Sequence, residues 1–405
     1  MIRSAKFILK PSKKQEELLK TFFGMSRFAY NEVLYWIKES TFGTYEIKNG
    51  KNKGKIVSKI PSLMEIQGCS TKLKEKFNFM KELPNDILQS ELINLGRAFQ
   101  KFYTTLNYPK FKTKQNSKQT LNFYAGIRAK FTDSSITLPF PKNSSYNKEL
   151  FTFKYKRHKI KYNFDKITGW TISKEGKKYY VSFTFRTKIE PKIVQGAIGL
   201  DLGIKNLITT SNGDKIENPK FFEKLHKKLR IAQVKLTKSK KGSKRYEIKK
   251  YKLFKIYRKI KNKRMDYSHK VSRHIADRYK IICVETLRIK SMMNKNKFSS
   301  YISDAAWSKL VSMLEYKALE NQGVLSKIDA FYPSSKTCYN CKQVKESLPL
   351  SIRTFKCDCG YIEDRDVNAA KNILKEGLKL LEATAEFSET SLKNKVRKNN
   401  TLNLS

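Results

Sequence analysis

Acidic residues are scarce in this sequence. Its 405 residues include 36 Asp and Glu against 85 Lys and Arg, which gives a net charge of +49. So large a positive charge repels itself and weakens the compact state unless a polyanion neutralises it. We expect nucleic acid as the partner, because phosphate neutralisation releases counterions and drives binding. An AT-rich genome is the alternative source of part of the lysine excess.

Long apolar runs are also lacking, since no stretch approaches the about 18 residues that a membrane-spanning helix needs. Residues 1–7 carry charges where a secretory signal needs apolar residues. Cysteines number only six, and four of them cluster late in the chain. In a reducing compartment such a cluster indicates a metal site rather than disulfides. We therefore expect a cytoplasmic protein, associated with the nucleoid through DNA, with no membrane partner.

The remaining composition predicts several folded domains. A hydrophobic fraction of 39% supports globular cores, and the length allows more than one. Alternation over 1–10 predicts a strand, and Ser12 with Gln15 forms a capping box that opens a helix. Helical spacing of apolar residues continues to 106. Beyond about 120, aromatic segments of period two predict antiparallel strands, a module that the first strand could join.

Two basic segments are candidate nucleic-acid surfaces. Residues 223–264 form a long, lysine-rich helical pattern, for which a solvated helical hairpin is the alternative interpretation. The residues of this pattern that we predict to face phosphates are Lys240, Lys241, Lys244 and Arg245. The segment 108–114 combines cations with aromatic rings, which suits backbone contact with base stacking, although a loop packed by two rings is the alternative. Its predicted contacts are Tyr108, Lys110, Lys112 and Lys114.

Three acids stand out by their positions in predicted strands and at a predicted helix start. Asp201 interrupts an apolar strand and has a glycine two residues to either side, Gly199 and Gly203. A carboxylate among aliphatic residues is costly without a cation or hydrogen bonds, and we expect the glycines to leave room for a phosphodiester. Glu285 ends the continuous apolar run 281–284, typical of a strand covered on both faces. Asp366 lies at the start of a predicted helix, where an acid is often a helix cap.

In sequence order, the first two acids lie in predicted strands and the third lies at the start of a predicted helix. Hydrolysis of a phosphodiester with two metal ions needs hard oxygen ligands that converge on two Mg²⁺ ions about 4 Å apart. Each acid also has a purely structural explanation: a satisfied strand acid, a strand-end surface acid or a helix cap. The series as a whole predicts that Asp201, Glu285 and Asp366 bind two Mg²⁺ ions.

Four cysteines have the overall spacing of a zinc ribbon. Cys338 and Cys341 are separated by two residues, and after 15 residues Cys357 and Cys359 follow with one residue between them. Four thiolates would close a tetrahedral structural Zn²⁺ site. The usual second pair has two intervening residues, so the shorter separation here is expected to strain the turn and weaken metal binding.

Taken together, these motifs closely resemble the TnpB family of transposon-encoded proteins, which is related to compact type V CRISPR effectors. The motifs that carry the resemblance are RFAYN (27–31), YPKFK (108–112), GLDLGIKN (199–206), ICVETL (282–287), CYNC (338–341), FKCDCG (355–360) and DRDVNAAKNI (364–373). They span most of residues 1–375.

The resemblance implies a multidomain α/β architecture with a ribonuclease-H-like (RuvC) nuclease domain. The expected domains are a wedge-like β-barrel over 1–11 and 107–190, a helical recognition lobe over 12–106, the RuvC domain over 191–330 and 361–380, a zinc ribbon insert for target binding over 331–360, and a flexible tail over 381–405.

The resemblance also implies an RNA-guided DNA endonuclease. The partners would be a guide RNA and double-stranded target DNA, with the protein reading a short flanking motif and acting as a monomer. Asp201, Glu285 and Asp366 fall at the family's catalytic positions, while Asp364 would cap the helix and Arg353 would contact the scissile phosphate. Two alternatives stay open: a guide-dependent repressor that binds without cutting, and a transposase or resolvase that needs no RNA.

Overall fold

A computed structural model describes residues 1–39, 42–46, 54, 56–114, 118–124, 129–142, 144–156, 166–188, 190–288, 305–349 and 351–401. The chain forms two compact units, Met1–Lys188 and Ile189–Ser405. None of the helices in those ranges is long and apolar enough to cross a membrane.

Unit 1 combines helices with an antiparallel sheet. Its helices are α1 (Lys13–Lys38), α2 (Leu63–Lys76) and α3 (Asn85–Thr105). Its strands are β1 (Ile2–Leu9), β2 (Thr44–Glu46), β3 (Ile56–Ser58), β4 (Thr120–Phe123), β5 (Lys130–Phe131), β6 (Ser135–Thr137), β7 (Thr152–Lys156), β8 (Lys166–Glu175) and β9 (Lys178–Arg186). The predicted capping box is present, since Ser12 and Gln15 bond reciprocally at the start of α1.

The first strand does join the later strands. Seven of them form one sheet in the order β4-β8-β9-β1-β7-β6-β5, and β1 pairs antiparallel with β9 from Ile2↔Arg186 to Leu9↔Tyr179. Side chains from α1, α2 and α3 share one hydrophobic core with this sheet. The regions that the sequence predicted as a separate helical lobe and β module therefore fold together as one compact unit.

Unit 2 is built around a five-stranded mixed sheet. The five strands of this sheet are β10 (Ala197–Asp201), β11 (Asn206–Thr210), β12 (Lys215–Glu217), β13 (Ile281–Glu285) and β14 (Val324–Ile328). Two further strands, β15 (Thr354–Lys356) and β16 (Ile362–Asp364), form a separate pair. Its helices are α4 (Phe221–Thr237), α5 (Lys244–Ala276), α6 (Trp307–Glu320) and α7 (Arg365–Thr401). The sheet order is β12-β11-β10-β13-β14, and β10, β13 and β14 run parallel.

The inner strand β13, which lies between β10 and β14, is covered on both faces, as its continuous apolar run predicts. Ile282 and Val284 pack with residues of α5 and α6, whereas Cys283 packs on the other face with Ile373 of α7. Helix α7 also comes very close to this sheet, because a Cβ at Gly377 would lie 2.4 Å from the Cys283 Sγ. Glycine at 377 therefore permits the close packing of helix on strand.

Two chain segments differ from the sequence-based expectation. Strands β15 and β16 pair as a hairpin that carries Cys357 and Cys359 between them. The part of the chain that holds the four clustered cysteines, called the cysteine module below, therefore continues to Asp364, whereas the predicted insert ended at 360. Helix α7 continues to Thr401, so the backbone of 381–401 is helical where a flexible tail was predicted. Residues 402–405 of that predicted tail lie outside the described residues.

Candidate functional site

Two of the predicted acids lie side by side at one edge of the unit 2 sheet. Parallel pairing of β10 with β13 runs from Ala197↔Ile281 to Leu200↔Val284. Asp201 and Glu285 are the next residues in this register, and each ends its strand. Since neighbouring parallel strands lie about 4.8 Å apart, Asp201 and Glu285 are neighbours at the carboxyl edge of the sheet.

Helix α7 brings the third acid to the same edge. A Cβ at Gly199 would lie 2.1 Å from the Ala370 carbonyl oxygen, so the helix crosses directly over β10. Gly199 thus makes room for α7, and Gly203 for the carbonyl of Asn206, which corrects the expectation that these glycines accommodate a phosphodiester. Asp366 lies one helical turn before Ala370, in the first turn of α7.

The neighbouring acid, Asp364, caps α7. Its Oδ1 accepts the backbone N–H of Asp366 at 3.0 Å and of Val367 at 3.2 Å, and its Oδ2 accepts the Lys215 ammonium at 2.6 Å. Burial would raise the pKa of Asp364, but the bond from Lys215 and the two backbone bonds lower it. Asp364 therefore has the capping role that we predicted, and Asp366 is left for another one.

Asp201 feels the charges of the other two predicted acids. Burial, followed by the charges of Glu285 and Asp366, raises the pKa of Asp201 to about 8. Burial also raises the pKa of Glu285. Each of the three side chains keeps part of its surface accessible. A group of carboxylates that repel one another and remain accessible is suited to a divalent cation.

An arginine from the cysteine module faces this group. Arg353 Nη1 lies 3.9 Å from Asp366 Oδ2. The loop that carries Arg353 is fixed by Arg365, whose backbone N–H donates to the Arg353 carbonyl at 2.8 Å and whose Nη1 donates to the carbonyls of Pro349 and Ile352 at 3.3 and 3.4 Å. Arg353 is therefore held beside Asp366.

The four clustered cysteines converge as predicted. Their sulfur atoms all lie within 4.8 Å of one another, a group that could hold a metal ion. Cys338 and Cys359 are 3.7 Å apart, and Cys341 and Cys357 are 3.5 Å apart. The four-thiolate donor set suits zinc. The short separation of Cys357 and Cys359 does not keep their sulfurs from meeting the first pair.

Two tight turns hold the cysteines. The Lys342 N–H donates to the Cys338 carbonyl at 3.1 Å, and the Gly360 N–H donates to the Cys357 carbonyl at 3.0 Å. Both residues have positive φ, +68° for Lys342 and +85° for Gly360, and glycine accepts this backbone without strain. A hydrogen bond from the Tyr361 backbone N–H lowers the pKa of the Cys359 thiol, which favours the thiolate that metals bind.

A pair of buried asparagines ties the cysteine module to helix α7. Asn368 accepts the Tyr339 N–H at 3.0 Å and donates to the Thr337 carbonyl at 2.9 Å. Asn372, one turn later, donates to the carbonyls of Ser334 at 3.0 Å and Thr337 at 2.6 Å. These bonds join the backbone beside Cys338 to the helix that begins with Asp366.

Replacing Asn368 by alanine should weaken this connection. The partly buried Tyr339 N–H and the buried Thr337 carbonyl would each lose a bond to Asn368, which costs about 1–3 kcal/mol. We expect a matching decrease in the free energy of unfolding, measured with denaturant. Lys379→Ala, an exposed change on the same helix, is the control and should have little effect. Equal stability of the two variants would contradict this account of the asparagine.

The basic helical pattern folds as a hairpin of α4 and α5. All four predicted contacts lie at its tip and are exposed: Lys240, Lys241, Lys244 and Arg245. Lys244 and Arg245 occupy the first turn of α5, the positive end of the helix dipole, where cations are unfavourable. An anion at this tip would relieve that repulsion.

The segment 108–114 is only partly available for binding. The Tyr108 ring packs edge-on against Phe99 and Phe102, with centroids 5.5 and 5.4 Å away. Lys112 forms an ion pair with the buried Glu91, and its backbone bonds to the side chain of Asn31. Lys112 is thus a structural residue, which corrects its prediction as a phosphate contact.

Lys110 and Lys114, the other two predicted cations of this segment, are exposed. Their ammonium groups therefore remain available to a phosphate backbone.

Sequence reasoning missed several residues that build the site. The predicted capping role of Asp364 gave no hint of Lys215, which lies 149 residues away along the chain. Asn368 was noticed only as part of a motif, although two asparagines four residues apart among apolar residues (Ala369, Ala370 and Ile373) are a signal of buried hydrogen bonds. No sequence feature indicated the role of Arg365, because its side chain bonds to backbone carbonyls, which every residue has.

The fold and site define a mixed α/β protein that places a group of acids beside a four-cysteine module. Family models match three parts of the chain: "Probable transposase" over residues 180–296, "Cas12f1-like, TNB domain" over 307–373 and "Helix-turn-helix domain" over 1–40. The first match includes Asp201 and Glu285, and the second includes all four clustered cysteines and Asp366. Within 1–39, the structure has one strand and one helix.

Relatives resemble the chain over nearly its whole length. A "Putative RNA-guided DNA endonuclease" of Streptomyces pristinaespiralis is 30% identical, over 93% of this chain and 89% of the relative. "Putative RNA-guided DNA endonuclease InsQ" of Escherichia coli K12 is 27% identical, over 93% and 92%. "TnpB-like protein L79" of Acanthamoeba polyphaga mimivirus is 25% identical, over 93% and 74%. The chain belongs to the TnpB family, as its motifs indicated.

Proposed function

We propose that this protein is an RNA-guided DNA endonuclease whose RuvC-type, ribonuclease-H-like sheet cuts at Asp201, Glu285 and Asp366. The observation that carries the proposal is the register of β10 and β13, which puts Asp201 and Glu285 side by side at one sheet edge. The raised pKa of Asp201 supports it, because burial and neighbouring acids disfavour its charge when no cation is bound.

The three carboxylates would hold two Mg²⁺ ions, since Mg²⁺ prefers hard oxygen ligands. Bound there, the ions would lower the pKa of an attacking water and stabilise the leaving oxygen. The protein's own part is to keep the ligands converged: two strands fix Asp201 and Glu285, and the Asp364 cap fixes the first turn of α7. Arg353 would exchange its Asp366 contact for the scissile phosphate, which a guanidinium binds strongly.

The four cysteines would hold a structural Zn²⁺ ion. With the metal bound, the module would present Arg353 and support α7 through Asn368 and Asn372. We propose the zinc ribbon insert as the part that binds target nucleic acid, with the barrel-like sheet and helices of unit 1 as wedge and recognition regions. These assignments follow the domain layout of the TnpB family.

The positive charge of the chain is suited to a guide RNA paired with one strand of duplex DNA. Base pairing would select the sequence, so exposed cations need to follow only the phosphate backbone. We propose that the hairpin tip around Lys244 and the exposed Lys110 and Lys114 take this role. A cytoplasmic, nucleoid-associated monomer remains the predicted state.

Copurified RNA and a cleavage assay test this function. The protein would be expressed together with its flanking DNA, the bound RNA sequenced, and the complex incubated with matched duplex DNA and Mg²⁺. We expect cleavage that depends on the RNA sequence. Binding without cleavage would favour a repressor, and an RNA-free preparation that cuts unguided DNA would favour the transposase or resolvase that the "Probable transposase" match leaves open.

The pH dependence of stability provides an independent check on the acids. The pKa of Asp201 is about 8 in the folded protein, against about 3.9 for an ordinary aspartate. Between those values the folded state holds a proton that the unfolded state has lost, so stability without metal falls as pH rises. We expect the Tm in EDTA to drop between about pH 5 and pH 8.5 more steeply for wild type than for Asp201→Asn. Added Mg²⁺ should restore wild type alone at the higher pH, and parallel Tm curves with no Mg²⁺ effect would contradict the predicted cluster.

A further inference from the structure

An exposed aromatic ring lies just beyond the carboxyl edge of the unit 2 sheet. Phe331 is 73% exposed, and the guanidinium of Arg288 lies 4.2 Å from its ring centroid. Arg288 is exposed as well. An exposed ring does not gain the free energy that burial of its apolar surface would give, so a binding role would account for the exposure of Phe331.

The strand register places this pair beside the acids. Glu285 of β13 pairs with Ile328 of β14, and the end of this pairing is fixed by Thr286, which donates to the Ile328 carbonyl through its N–H and its Oγ1 at 3.2 and 2.7 Å. Arg288 follows Glu285 by three residues, and Phe331 follows Ile328 by three. Three residues span at most about 10 Å, so the backbone at Arg288 and at Phe331 lies within about 10 Å of the Glu285 and Ile328 pair.

The exposed orientation of the ring is fixed by its surroundings. The Phe331 N–H donates to Asp329 Oδ1 at 2.7 Å in the turn that ends β14. The next residue, Tyr332, turns inward and packs against the core around Cys283 and Ile373. With Tyr332 anchored inside, Phe331 points outward from a rigid support, and a ring held in this way loses little freedom when a ligand stacks on it.

We propose that Phe331 and Arg288 form a stacking platform for an unpaired nucleobase of the DNA strand that enters the acid site. This inference rests on the proposed nuclease function and adds the residues that hold the strand. The ring offers a π-face that every base can use, and the guanidinium adds charge for the adjacent phosphate. Since the bases of a duplex are paired and stacked, a strand must be unpaired to use this ring, and binding of one unpaired base there would align the strand with Asp201 and Glu285.

Binding of single-stranded DNA tests the platform without requiring cleavage. The probe is a fluorescent oligothymidine, added to an Asp201→Asn complex whose guide RNA is already paired with matched target DNA, and its Kd is read by anisotropy. In that background we expect Phe331→Ala to raise the Kd about 5- to 100-fold, the range for loss of one base stack. Phe331→Trp should restore binding, and Arg288→Ala should weaken binding and reduce its salt dependence.

Leu319→Ala is the matched control, because Leu319 is an apolar side chain of α6 with 66% exposure and no place at the site. It should leave the Kd unchanged, and retained Tm and metal content would verify the fold of every variant. Equal oligothymidine binding by Phe331→Ala and its parent would overturn the platform. Failure of wild type to cut matched DNA would instead overturn the nuclease function, and the two results are read from separate assays.

Discussion

Asp201→Asn is expected to lower the rate of target cleavage by roughly a thousandfold or more. The change removes one charged ligand from the group that would hold both Mg²⁺ ions, and a loss of about 4 kcal/mol of transition-state stabilisation corresponds to that factor. Asparagine has nearly the same shape as aspartate, so the strand and the packing of α7 should be preserved. Guide RNA and target binding should therefore stay close to wild type.

The control for this experiment is Asp214→Asn. Asp214 is an exposed acid in the turn after β11, and its replacement also changes the net charge by one. Cleavage by Asp214→Asn should match wild type. If Asp201→Asn cut at the wild-type rate while binding the same RNA, the metal site would have to lie elsewhere.

Replacing Cys338 and Cys341 together by serine is expected to have the second largest effect. Structural zinc sites contribute about 10–16 kcal/mol of binding free energy in small zinc-binding peptides, so loss of two ligands should release the metal and unfold the module. Zinc content, measured by mass spectrometry, should fall from one ion per chain to none. Because Asn368 and Asn372 bond to the backbone next to Cys338, cleavage should decrease as well.

Cys69→Ser serves as the matched control, since Cys69 is a buried cysteine of unit 1 whose thiol bonds to the Glu65 carbonyl. It should keep one zinc ion per chain. Wild-type protein without zinc, or a double variant that retains it, would show that the cysteines do not bind the metal.

Local patterns predicted the elements that position the acids. The apolar run before Glu285 predicted a strand covered on both faces, and helices do cover both faces of β13. Asp201 was predicted in an apolar strand and Asp366 at the start of a helix, and the structure places them at the end of β10 and in the first turn of α7. These predictions succeeded because hydrophobic periodicity and helix-start signals depend on neighbours in the chain.

Tertiary contacts were beyond the reach of such patterns. Lys112 reads as one more cation in a basic segment, yet its ammonium pairs with Glu91, 21 residues earlier. Gly199 reads as an opening beside Asp201, yet it makes room for a helix that begins more than 160 residues later. Phe331 carries no sequence signal at all, since its exposure follows from the inward turn of Tyr332. For Lys112 and Gly199 the deciding partner is remote in sequence, and Tyr332 turns inward because it packs against the equally remote Cys283 and Ile373.

Metal binding by the acids can be measured most directly by titrating Mn²⁺, which takes Mg²⁺ sites, into the complex of protein, guide RNA and matched DNA. Electron paramagnetic resonance of free Mn²⁺ would count the bound ions. We predict two more Mn²⁺ ions bound by the wild-type complex than by the Asp201→Asn, Glu285→Gln, Asp366→Asn complex, after the RNA and DNA background is subtracted. Equal numbers of bound ions in both complexes would contradict a shared metal site at these three carboxylates.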